Sequence, residues 1–175
     1  MNTEAFAPVL APILRELYLG SPDRGTRTFV LNQGDAGLLG SLERISAAAA
    51  SAAHGGGAPI AAHVDHLRYG LSLLNLWASG AAPPWPAMDW GASWRIHAVT
   101  DAEWRALRDA LKREADAWAA AVRAPREVTE VEAGWIIGSV AHLAYHLGAI
   151  RQIDRATRGP SAEDEARAQA ESRGA

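Results

Sequence analysis

Helical periodicity in four long segments, with no convincing alternating strand between them, is what most limits the fold open to this chain. The first main segment starts near Asp35, a good N-cap, and runs to about Ala53, with Leu38, Leu39, Leu42 and Ile45 as its apolar stripe. "HGGG" stops it. The second opens at Pro59 and runs through "IAAHVDHLRYGLSLLNLWA" to Gly80. The third is announced by "TDAE", a capping box of Thr100 and Glu103, and continues through Trp104, Leu107, Leu111, Ala115 and Trp118 to about Val122. The fourth begins near Glu130 and ends about Thr157. A short N-terminal helix over residues 3–19, with Thr3 as cap and Gly20 past its end, precedes them, and "SPDRGTRTFVLNQGD" reads as irregular chain. The expected architecture is all-α: a four-helix bundle with a long crossover between its second and third helices, plus the short N-terminal helix.

Length and composition agree with one packed domain. The chain has 175 residues, 49% apolar and 21% charged, enough to bury a core. We expect a single domain over residues 1–158, with 1–32 as an N-terminal extension and 160–175 as a flexible polar tail. The net charge of −3, with dispersed Lys and Arg, lacks the basic footprint that phosphate binding needs, so no nucleic-acid partner is expected. The first residues lack the basic n-region of a signal peptide, and no apolar run was found that reaches the ~20 residues of a membrane span. The expectation is a cytoplasmic protein without a membrane partner.

There are no cysteines, which excludes disulfides, thiolate ligands and a cysteine nucleophile; any metal must be held by nitrogen and oxygen. Six histidines remain as candidates. His142 and His146 are four apart in "SVAHLAYHLGAIRQI", so their rings stack on one helix face and can chelate one ion. Two core histidines would show the same spacing. No Glu follows His142, so the metalloprotease signature is absent, and no Glu-x-x-His pair marks a di-iron carboxylate bundle. His63 and His66, three apart on the second helix, offer a third nitrogen; three protein ligands with an open fourth position is the arrangement of a catalytic zinc. Gly138, Ser139, Gly148 and Ala149 leave room beside the pair. Asp65, Tyr69, Ser139 and Gln152 are candidate partners for the second ring nitrogens. His54, in a glycine-rich turn, and His97, in a tryptophan-rich loop, read as surface residues. That loop, residues 81–99, holds Trp85, Trp90 and Trp94; they either fold it onto the bundle as a small satellite core, wall a pocket or form a dimer contact.

Two stretches, "APIAAHVDHLRYGLSLLNLW" and "VAHLAYHLGAIRQI", resemble the DinB/YfiT-like superfamily of bacterial four-helix bundles. The likeness covers about residues 33–158, and the second stretch follows the family's pattern of His, three residues, His, any residue, Gly and then often Gln. The sequence departs from it at Ala149, where glutamine is common, and at Ala58, where tryptophan often precedes the helix. The resemblance implies a divalent metal, zinc or nickel, held by His66, His142 and His146, with His63 as the alternative to His66. It also implies a homodimer acting on a small-molecule substrate. The metal would activate a water, as in a hydrolase, or a low-molecular-weight thiol, as in a transferase. Tyr69 and Tyr145 are candidates for orienting that substrate. A non-catalytic, stress-related dimeric bundle with a structural or vestigial metal is the alternative.

Overall fold

The computed structural model describes residues 1–21, 27–53, 55–82 and 84–173. It is all-helical, with seven α-helices among the described residues: α1 (Ala7–Leu19), α2 (Gly37–Glu43), α3 (Ala47–Ser51), α4 (Ile60–Ala78), α5 (Asp101–Arg123), α6 (Glu130–Ile153) and α7 (Ala162–Arg173). The core forms where α4 packs on α5 and α6, and α1 packs on α5 and α6. Trp118, Leu14, Leu17, Leu38, Leu42, Ile60, Leu111, Leu143 and Ile150 are its largest closed-off side chains.

Capping chemistry places the long helices as the sequence suggests. Thr100 and Glu103 form a capping box at the start of α5, and Thr129 and Glu132 form another at the start of α6. The N-cap of α4 is Pro59, and Gly80, at φ +88°, takes the chain out of it.

Three expectations change. The first main helix over 35–53 is two short helices, because Ser46 adopts an extended backbone and its hydroxyl accepts from Ala49 N, starting a new helix where the old one should continue. Its stripe keeps its role, since Leu38, Leu42 and Ile45 are buried. The N-terminal helix begins at Ala7 after a 3-10 turn capped by Asn2, not Thr3; the Thr3 hydroxyl instead accepts from Arg126 N and donates to Ala124 O. With Leu14 and Leu17 in the core, α1 belongs to the packed body. Residues 162–173 of the polar C-terminal stretch form α7, introduced by Ser161 and Asp164, which bond reciprocally.

In addition, α6 is the one described helix long and apolar enough, by length and composition, to cross a membrane, where the sequence reading found no such run. Its buried residues, among them Ile136, Leu143, Leu147 and Ile150, pack into the core with α1 and α4. The core helix of a soluble protein passes the same test.

The irregular chain between α1 and α2 falls partly outside the described residues, and its described part is tied to α1. Buried Glu16 accepts from the backbone N–H groups of Phe29, Val30 and Leu31 at 2.8, 2.8 and 2.6 Å. Glu16→Ala strands these donors, one of them buried, and is expected to cost about 2–4 kcal/mol, read as a lower midpoint in urea unfolding. An unchanged midpoint would show that water replaces the carboxylate without loss.

Candidate metal centre

Two helices and one loop build the centre. His63 and His66 come from α4, His142 and His146 from α6, and the connection between α4 and α5 closes over them. Periodicity does the positioning: His142 and His146 lie one turn apart, next to Leu143 and Leu147, whose burial pins that side of α6 inward. His66 precedes Leu67, likewise buried.

Three ring nitrogens converge. His142 Nε2 lies 3.0 Å from His66 Nε2 and 3.0 Å from His146 Nε2, and one ligand atom from each of the three lies within 4.8 Å of the others. Around a tetrahedral zinc, nitrogens about 2.0–2.1 Å from the ion stand about 3.3–3.4 Å from one another, so small shifts would admit an ion. It is the one such group of ligand-type side chains among the described residues.

His63 takes another place. Its Nδ1 lies 2.9 Å from His146 Nδ1, on the far side of that ring from the cluster. The two histidines of α4 thus divide: His66 enters the cluster and His63 supports His146 from behind.

Ser93 fixes the tautomer of His66. Its hydroxyl lies 2.8 Å from the Trp90 carbonyl, which can only accept, so its one proton goes there. The Ser93 oxygen is then left to accept from His66 Nδ1, 2.9 Å away. His66 carries its proton on Nδ1 and presents a bare Nε2 lone pair to the cluster, as a metal ligand must.

The rings are also uncharged at neutral pH. Burial pushes the His146 pKa down to about 3 and that of His66 down to about 4, reinforced in both by neighbouring histidines, while Asp65 opposes the effect at His66. Burial lowers His63 and His142 as well. Neutral imidazoles with inward lone pairs at 3.0 Å repel one another unless a proton or a cation stands between them. The donor set, all nitrogen and all neutral, fits a divalent cation.

Trp94 stacks on His66 with ring centroids 4.4 Å apart and meets His63 edge-on at 5.2 Å, while Trp90 lies 5.3 Å from His66. Trp85 and Trp90 line a cavity of about 700 Å³ that reaches His66 and His142. The tryptophan loop therefore walls a pocket, one of the three roles its sequence allowed.

Of the expected partners, Ser139 is used elsewhere, accepting from Trp118 Nε1 and donating to Ile136 O. Asp65 pairs with Arg68 at 2.7 Å, and the Tyr69 hydroxyl accepts from Asp89 N in the loop. Gln152 is exposed, as are Gly148 and His97. Tyr145 is 71% exposed and touches His146 only edge-on. His54 lies outside the described residues. Ser93, 27 residues from His66, carries no signal in the sequence, because nothing in a loop of "WGASW" says which helix it will meet.

Ser93→Ala is expected to lower metal affinity about 10–100-fold, the usual effect of losing an outer partner of a ligand histidine, with an unchanged circular dichroism spectrum. Equal affinity in a metal competition titration would remove Ser93 from the centre.

No family model matches the chain, and no curated protein or solved structure matches it.

Proposed function

We propose that this chain is a metal-dependent enzyme acting on a small molecule, with His66, His142 and His146 holding a divalent cation, zinc or nickel. The observation that carries the reading is the meeting of three Nε2 atoms, one with its lone pair dictated by Ser93, at the edge of a large cavity. A structural site is normally closed by four protein ligands, whereas three leave a position for a reactant. In that position the ion would lower the pKa of a water or of a thiol, which are the hydrolase and transferase forms of the proposal.

The chain's own residues supply the rest. His63 backs His146, Ser93 orients His66, and Trp94 covers the His66 ring and keeps water from that side. The likeness of "APIAAHVDHLRYGLSLLNLW" and "VAHLAYHLGAIRQI" to DinB/YfiT-like bundles supports the same ligand set.

A non-catalytic dimer with a structural metal is the second reading, and the exposed apolar residues Val131, Ile137 and Tyr145 on α6 favour it. Metal analysis of untagged protein purified without chelator is expected to give about one ion per chain. A metal-free protein that also fails to take up zinc or nickel on titration would end the metalloenzyme reading. Chelation separates the two readings: either ion stabilises the folded chain by mass action, but loss of a structural ion should also cost helical circular dichroism at room temperature, whereas loss of a catalytic ion from this preformed core leaves the helix signal unchanged.

A further inference from the structure

The cavity beside the histidines carries more information than its position. Its walls come from Leu67, Leu71 and Leu74 of α4, Trp135 of α6, and Trp85, Met88 and Trp90 of the loop, with no Lys, Arg, Asp or Glu among the lining residues. Away from an ion at the histidines, a charged group entering such a site would leave its hydration without a counter-charge, which is costly. The polar side chains of the lining are few: His66 and His142 at one place, Ser139, whose hydroxyl is already engaged, and Tyr18.

Tyr18 offers the one hydroxyl of the lining that is not engaged. Its ring is buried, burial holds its phenol well above the usual range, and its hydroxyl makes no hydrogen bond to the described residues. A bound molecule offering an acceptor would give it a partner, a net gain of about 0.5–1.5 kcal/mol. Trp85 Nε1, also of the cavity wall, is a second N–H without a partner.

Two glycines describe the space itself. Gly134 and Gly138 both line the cavity inside α6, and a Cβ at either would meet nothing within 4 Å. Glycine inside a helix is destabilising by roughly 0.5–1 kcal/mol relative to alanine, and packing explains neither residue. Both are exposed, so their missing side chains widen the open side of the cavity.

We propose that this cavity binds an uncharged, largely apolar molecule the size of one or two aromatic rings, with one polar atom directed to His66 and His142 and a hydrogen-bond acceptor for Tyr18. It rests on the metalloenzyme reading for the role of the histidine end, and on the cavity alone for the ligand's class. It also chooses between the two forms of that reading, since peptide-like or sugar-bearing thiols would find almost no polar partners here.

Titration of the wild-type protein with 1-naphthol, followed by tryptophan fluorescence and calorimetry, tests this. Binding is expected, at least about tenfold tighter than for 1-naphthylmethylammonium, which keeps the rings and adds a positive charge that no ion at the histidines can attract. Gly138→Leu should fill the space and abolish 1-naphthol binding while keeping the metal content of wild type and a melting temperature no lower than wild type. Tyr18→Phe should weaken binding about fivefold, as expected for one hydrogen bond. No 1-naphthol binding, equal binding by Gly138→Leu, or tighter binding of 1-naphthylmethylammonium would each overturn the assignment. Metal content, measured on the same samples, reports separately on the centre, so the cavity can fail while the metal reading stands, and the reverse.

Discussion

Purified His142→Ala protein is expected to carry no stoichiometric metal, while His97→Ala, altered at an exposed histidine of the loop, keeps the wild-type amount. His142 is the member of the cluster with a nitrogen 3.0 Å from both of the others. Without it two neutral imidazoles remain, and solvent must fill at least half of a tetrahedral shell. Loss of an outer partner already costs about 10–100-fold in affinity, and loss of a ligand is expected to exceed that. The fold should survive, because His142 is only half-buried and its neighbour Leu143 does the packing. Elemental analysis and a zinc competition titration read the outcome; wild-type occupancy in His142→Ala would place the metal elsewhere or nowhere.

Asp35→Ala should be the most destabilising single change away from the histidines. The Asp35 side chain is 2% exposed, accepts from Gly37 N at 2.8 Å and pairs with Arg151 at 2.7 Å. Its backbone carbonyl also takes the N–H of Ser21. Gly20 and Gly159 crowd the same residue so closely that a Cβ on either would overlap it. Removing the carboxylate leaves the largely buried Arg151 charge without a partner, in a guanidinium whose Nε is already unpaired. Breaking one end of a buried pair costs about 3–5 kcal/mol, a large part of a typical stability. A chain of this length should then melt about 10 °C lower or more. Asp35→Ala combined with Arg151→Met removes both charges and should recover part of the loss. A double variant as unstable as Asp35→Ala would show that the hydrogen bonds, not the charge, carry the effect.

The parts of the fold written in local chemistry were legible. Thr100 with Glu103 and Gly80 mark helix ends in the sequence and do so in the structure. Ser46 was the failure: the apolar stripe runs on past Ile45, and periodicity does not register that a serine inside it can start a second helix. The site was legible through His142 and His146 because both lie on one helix with a fixed spacing. The division of labour between His63 and His66 depends on how α4 is rotated against α6, a tertiary quantity that spacing three apart does not contain. Ser93 and Tyr18 come from segments distant in sequence, and neither residue type in its local context signals a partner.

The bond from Ser93 to Trp90 joins two things that would otherwise vary independently: the path of the loop and the protonation pattern of His66. Reciprocity follows by thermodynamic necessity. If the ion binds best when the loop is seated, the ion must favour the seated loop by the same factor. A molecule in the cavity against Trp90 would then tighten or loosen the hold of an ion at the histidines through that hydroxyl, making the two occupancies coordinates of one equilibrium.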